Sequence, residues 1–519
     1  MKSKKLIYMM LSSALLLGSC DDFLDTMPDN RAEVNSIEKV TSLLVSAYPT
    51  KIDHVMTEMA SDNVMDNGAR YTIYGQEQED SYLWKDITEV GNDSPYAYWN
   101  ACYSAIAAAN QALQAIDDLG NPKTLEAQRG EALICRAYGH FALANLFCMQ
   151  YNPETAEKEL GLPYAIAPET SVSPHYTRGT LAELYAKIND DIEEGLPLIN
   201  DNIYKTPKYH FNKKAAYAFS ARFNLYYQKF DKVIEYADVV LGTVPEKVLK
   251  NWKALDDLAS NFDVRLNAFV SSSEPANLLI GTGISSWGVV TGPYATADRY
   301  GMSMELVTKE TLRATAPWGG KADLYMAKAL WGSEQKLSLP KYQQFFQYTD
   351  KVAGIGYAYA VPMLFTADET LLCRAEAYAL KNQLDKSVAD INTWMKTHTV
   401  RAKQFTKEQL VDFFKNVPTM PVVVTNESQR SIKKNINPQG FVVADGDMKE
   451  LIHCILHLRR VETLQDGLRW QDLKRYGIEF SHNRDGMEPD ILKADDPRRA
   501  FQLPQDVINA GLQPNPRNK

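Results

Sequence analysis

Tyr98 to Leu119 reads YWNACYSAIAAANQALQAIDDL, and the fold is decided by how this stretch is read. Tyr103, Ile106, Leu113 and Ile116 recur at helical spacing, so one face of the segment is apolar. Gly120-Asn121-Pro122 then stops it, because glycine and proline punctuate helix ends. A second periodic segment, about Leu125 to Met149, carries Leu133, Tyr138, Phe141 and Leu146. Two long amphipathic helices joined by a short turn make an antiparallel hairpin. A hairpin over 98–149 cannot bury its whole apolar face alone and needs stacking neighbours.

Such neighbours emerge when the chain is shifted against itself by 154 residues. Ala221 to Leu241 (ARFNLYYQKFDKVIEYADVVL) then lies over Ala375 to Met395 (AEAYALKNQLDKSVADINTWM). Both begin with alanine, and both set a large apolar residue, Phe230 or Leu384, directly before Asp-Lys. Cys373-Arg374-Ala375 also echoes Cys135-Arg136-Ala137. A small residue at a helix crossing, a turn and a second helix is the logic of tetratricopeptide-type hairpins, although the usual Trp and Gly positions are missing. The expected fold is mainly all-α. Hairpins at about 98–149, 211–241 and 365–396 stack into a superhelix beside an irregular, loop-rich half with minor β. An irregular helical domain is the alternative this spacing leaves open.

The loop-rich regions are about 61–95 and 271–320, where Asn67-Gly68, Ser94-Pro95, Gly292-Pro293 and Gly319-Gly320 replace helical period by turn chemistry. Loops this long are functional or disordered. These hold Tyr71, Tyr74, Tyr82, Trp84, Trp287, Tyr294, Tyr300 and Trp318, whereas disordered segments are poor in aromatics. Ordered loops with spare rings point to a binding surface. Val422-Val423-Val424 and Phe441-Val442-Val443 suggest a small β-hairpin within 415–447.

The N-terminus reads as an address. Lys2, Lys4 and Lys5 precede the apolar run Leu6 to Leu17, the layout of a secretory signal. Leu17-Gly18-Ser19-Cys20 resembles the bacterial lipobox, in which the cysteine is acylated and becomes the first mature residue. Residues 1–19 are thus expected to be a lipoprotein signal peptide, residues 20–519 a single domain, and Cys20 the membrane anchor through its acyl chains. An ordinary signal peptide is the alternative.

Loss of the three signal lysines takes the net charge from −9 to about −12, and no basic cluster survives, which argues against nucleic acid. The five cysteines besides Cys20 show no metal-ligand spacing and fall largely in apolar helical stretches, as buried thiols do. Catalytic motifs are absent. Gly281-Thr282-Gly283 lacks the third glycine of a dinucleotide loop, and no G-x-S-x-G occurs. His453 and His457 have zinc-sharing spacing, but Cys454 stands where the zincin motif needs glutamate. Carboxylates are abundant, and the sequence singles out no pair as a glycosidase acid and base; no cofactor or metal is expected.

Leu458-Arg459-Arg460-Val461-Glu462-Thr463-Leu464-Gln465-Asp466-Gly467-Leu468-Arg469-Trp470-Gln471-Asp472-Leu473-Lys474-Arg475-Tyr476 resembles the "ERR.EL.fEG.R..DLkRw" segment of the SusD/RagB family. Cys20 to Pro28 resembles its "C.dfLd..P" start, Trp99 to Leu113 its "W...Y..I..aN..l" helix, and Arg374 to Tyr378 its "RAEAY" helix. Phe501-Gln502-Leu503-Pro504 with Asn515-Pro516 is a weak form of its tail. Leu458 departs from the family's glutamate.

The resemblance implies four tetratricopeptide-like hairpins and a loop-rich ligand-binding half. It also implies a non-enzymatic, surface-exposed outer-membrane lipoprotein that acts as a lid on a SusC-like TonB-dependent barrel and passes it oligosaccharide. The alternatives are the same scaffold taking oligopeptides, or a helical-repeat adaptor that binds only protein. A sugar ring lays its C–H face on an aromatic ring, so Tyr74, Tyr82, Trp84, Trp287, Tyr294 and Trp318 are the expected ligand-binding residues. Arg70, Asp66, Asn67, Asp298 and Arg299 would meet hydroxyls at the rim. Trp84→Ala or Trp318→Ala is accordingly expected to weaken glycan binding with little effect on thermal stability.

Overall fold

Three helices open the computed structural model, which describes residues 34–169, 176–294 and 298–517: α1 (Ile37–Leu44), α2 (His54–Ala60) and α3 (Gln76–Tyr82). The signal segment and Cys20 lie outside the described residues. Ser94 then caps α4 (Pro95–Asp118) by accepting from the Ala97 amide, with Pro95 in the first turn. After a turn in which Asn121 has a positive φ of 52°, α5 (Glu126–Phe147) returns along it. The two approach closely because α5 presents Gly139, where a Cβ would come within 2.7 Å of Ile106 on α4. The hairpin expected over 98–149 is therefore present, and α6 (Leu181–Gly195) packs on its second helix.

The 154-residue repeat is real in three dimensions. Helices α7 (Lys213–Tyr226) and α8 (Phe230–Leu241) form one hairpin, and α9 (Ala367–Leu380) and α10 (Leu384–His398) the next. Gln228 and Asn382, one repeat apart, both take left-handed φ values of 63° and 58° in the turns. At the same offset, the Lys229 amide donates to the Asn224 carbonyl (2.9 Å) and the Gln383 amide to that of Tyr378 (2.8 Å). The Cys-Arg-Ala echo has a matching task. Arg136 grips Asp191 of α6 in two hydrogen bonds of 2.7 and 2.6 Å, and Arg374 grips Asp390 of α10 at 2.9 and 2.6 Å. Helix α9 packs on α7, α8, α10 and α12 (Asp447–Glu462), which in turn carries α11 (Lys407–Asn416).

Two expectations need correction. The 415–447 region holds no hairpin of Val422–Val424 with Phe441–Val443. Its ladder is a parallel pairing of Thr419–Met420 with Lys433–Lys434, and Pro418 and Pro421 bracket that strand with positions that lack a ladder donor. The 61–95 region is less loop-like than its turn residues imply, because the polar run QEQEDSY is helix α3.

Strands are few. β1 (Asn277–Ile280) pairs antiparallel with β4 (Met363–Thr366), and β2 (Phe345–Asp350) with β3 (Ile355–Ala360), to which Gly283–Ile284 adds. β5 (Phe480–Arg484) and β6 (Met487–Leu492) form a C-terminal hairpin. The segment 458–476, which ends in α13 (Arg469–Arg475), ties both halves together through buried ion pairs. Arg459 donates to Asp472 (2.9 Å), while Arg475 and Tyr476 donate to Glu376 of α9. On the other side Arg469 holds both oxygens of Asp62 (2.8 Å each) and Arg460 reaches Glu310 (3.0 Å). Cys102, Cys135, Cys148, Cys373 and Cys454 are all buried and unpaired, as expected of small hydrophobes.

Candidate functional site

Four of the six aromatics nominated from the sequence are interior. Tyr82 and Trp84 belong to a column of stacked rings: Tyr300 on Tyr82 (4.4 Å), Tyr82 on His482 (4.0 Å), His482 on Trp84 (4.2 Å). Trp84 donates its indole N–H to the Ala60 carbonyl (2.8 Å), and its φ of 49° turns the chain so that the ring enters the column. Trp287 packs against His54 and Tyr342 and donates to the Gln465 carbonyl (3.0 Å). Trp318 stacks on His457 and leans on Trp394. None of the four offers a ring face to solvent. They pin the irregular loops to the C-terminal segments through His457, Gln465 and His482. Burial holds the His453 and His457 imidazoles far below the usual range, at about 3, so both sit neutral in the core.

The polar residues nominated for a sugar rim are frame as well. Buried Asp298 pairs with buried Lys336 (2.7 Å), whose ammonium also donates to the Val290 carbonyl (3.0 Å). The Asn67 amide donates to the carbonyls of Asp298 and Gln335 (3.0 Å each). Arg299 grips Asp66 through two bonds of 3.0 Å, and this guanidinium holds the carboxyl below its ordinary range against the cost of burial. Segments 65–75, 287–294, 298–301 and 331–338 are thereby locked together. The 343–360 hairpin joins them where Gly292 abuts Gln343, since a Cβ at Gly292 would lie 3.6 Å from the Gln343 Cα.

What this frame displays is a fringe of exposed rings. Tyr74 and Tyr294 remain outward, at 45% and 75% exposure, and Tyr294 donates to Asp263 (3.0 Å). Arg70 is exposed and lies over Tyr71, to whose hydroxyl it donates (2.9 Å). Sequence reasoning missed Trp331, Phe346, Tyr348 and Tyr357, all exposed. The alternating aromatics of Phe345–Tyr348 and Tyr357–Tyr359, separated by Asp350 to Gly354, were the signal of an aromatic β-hairpin. A separate cleft of about 980 Å³ lies on the outer side of α4, lined by Trp99, Tyr103, Asn110, Glu169, Tyr176 and Val507. Trp99 is buried but forms part of its wall.

Helical hairpins closed by a buried arginine-rich segment, with an aromatic fringe on irregular loops, define a class that comparison identifies. Residues 22–225 match the SusD-like family described as "Starch-binding associating with outer membrane". Over those residues the chain is similar to this family. A SusD superfamily protein of Bacteroides fragilis superposes with a TM-score of 0.63 at 16% identity, over 92% of this chain and 99% of that one. One from Bacteroides thetaiotaomicron gives 0.63 at 17%, with the same coverage. A putative sugar binding protein of Bacteroides vulgatus gives 0.64 at 17%, over 94% and 99%. At these identities the likeness is one of fold. No curated protein matches the sequence.

Proposed function

We propose that this protein is a cell-surface glycan-binding lipoprotein. It is anchored through Cys20, captures oligosaccharide from solution and delivers it to a SusC-like TonB-dependent barrel, over which it acts as a lid. The family description supports glycan binding at the outer membrane, and no helix among the described residues is long and apolar enough to cross a bilayer. The observation that carries the reading is the exposed fringe on a rigid ion-paired frame. Tyr74, Tyr294 and Trp331 expose ring surface on which a sugar face can lie, and the Lys336–Asp298 and Arg299–Asp66 pairs fix the frame beside them. No reacting group is needed. Capture and release are non-covalent.

Titration calorimetry against a panel of neutral oligosaccharides tests this. Tyr294→Ala and Trp331→Ala are each expected to weaken the best ligand by roughly tenfold, about 1.4 kcal/mol, with an unchanged melting temperature. Unaltered affinity in both, with a loss in Tyr103→Ala or Tyr176→Ala, would move the site to the α4 cleft. A second reading, capture of an extended peptide, is favoured by one feature: β2 is an edge strand whose residues are mostly exposed and whose outer backbone has no partner strand among the described residues. Tight binding of peptides with no affinity for any glycan would establish it instead.

A further inference from the structure

Asp368 at the start of α9, His398 at the end of α10 and Glu462 at the end of α12 each offer a ligand atom to one cluster, all within 4.8 Å of one another. Asp368 and His398 are fully buried and Glu462 nearly so. The imidazole is fixed by its own helix: Nδ1 lies 3.0 Å from the Trp394 carbonyl one turn earlier and 2.8 Å from Thr397 Oγ1. Nε2 therefore turns to the carboxylates, 2.9 Å from Glu462 Oε2 and 3.5 Å from Asp368 Oδ1. Neither oxygen stands in line with a proton on Nε2, which is enclosed without a hydrogen-bond partner. Two buried carboxylates facing an imidazole nitrogen repel one another unless a proton or a bound cation lies among them, and three ligand atoms this close can chelate a cation.

The neighbouring ammonium groups are directed elsewhere. Lys250 donates to Asn277 Oδ1 (2.6 Å) and the Phe269 carbonyl, and Lys341 to the Glu462 carbonyl (2.7 Å) and Asp466 (2.9 Å). The carboxylates are themselves oriented from behind. Asp368 accepts the Lys250 amide (3.0 Å), and Glu462 Oε2 accepts the Trp394 indole N–H (2.9 Å). Outer donors of this kind hold metal ligands in place. One imidazole and two carboxylates form a donor set for divalent first-row transition metals, among which zinc binds with high affinity. Glu462 also lines a cavity of about 90 Å³ of mixed polar and apolar lining, shared with Thr463 and Gln471, which has room for water.

We infer that Asp368, His398 and Glu462 bind a divalent transition-metal cation, zinc above others, which pins the α9–α10 hairpin to α12. The inference is independent of what the aromatic fringe binds. Because the cluster is enclosed, the metal enters on folding. The test is to unfold the whole protein in chelator and refold it with or without zinc, then measure metal by elemental analysis and stability by thermal melting. Wild type refolded in zinc should hold one metal per chain and melt higher than the chelated protein. Glu462→Gln, which still accepts from Trp394, should bind zinc roughly 100-fold more weakly. His398→Arg, which brings its own positive charge, should fold cooperatively and hold none. Wild type that folds without metal and melts identically in zinc and chelator overturns the site and leaves an imidazolium balancing the carboxylates. Full zinc occupancy in both variants overturns it too, by placing the metal elsewhere.

Discussion

Trp84 and Trp318 are anchors whose removal leaves holes. Trp84→Ala or Trp318→Ala should cost about 3–5 kcal/mol, seen as a lowered denaturation midpoint, while the fraction that stays folded binds glycan normally. This reverses the expectation drawn from their place in turn-rich sequence. Single residues also set a pH dependence. His140, His453 and His457 are buried, each with a folded pKa of about 3 against about 6.5 when unfolded. Below pH 6.5 the unfolded chain takes up protons that the folded one refuses, so their stabilisation is complete above that pH and lost as pH falls. At pH 5 each contributes a loss of roughly 2 kcal/mol. Glu58, raised by burial to about 7, has the opposite sign and stabilises the fold less as pH rises from about 4.5 through 7. Three histidines outweigh one glutamate. Denaturant midpoints measured from pH 7.5 to 5 should fall, and a flat profile would show that these rings titrate normally.

Among the elements, the hairpins are bound by paired charges as much as by apolar faces. Arg374→Ala strands Asp390 in the interior and should destabilise by about 3–5 kcal/mol, whereas Arg374→Met with Asp390→Leu should restore most of that loss. Chemical denaturation of the three variants reads this directly. The repeat itself was legible, because Phe230-Asp231-Lys232 and Leu384-Asp385-Lys386 start equivalent helices after equivalent left-handed turns. Helix α3 was not, since QEQEDSY has no apolar period and owes its helix to the packing of Tyr82. The aromatic hairpin β2–β3 was legible in the alternating rings of Phe345–Tyr348 and Tyr357–Tyr359.

For the whole molecule, Cys20 and the fringe give separable properties. Cys20→Ala should yield a soluble protein that binds its glycan with unchanged affinity but leaves the membrane fraction and no longer supports growth on that nutrient. Retention in the membrane would refute the anchor. The sequence by itself determined the helical class, the 154-residue repeat, the buried thiols and the arginine-rich segment, because each is written in local period or in residues near one another along the chain. Tertiary structure alone decided which aromatics face water. Tyr82 is enclosed by Tyr300 and His482, Trp287 by His54 and Trp318 by His457, partners more than a hundred residues away, whereas Tyr74 and Tyr294 are left outside. Burial is set by what folds over a ring, and a ring's neighbours in sequence do not record it.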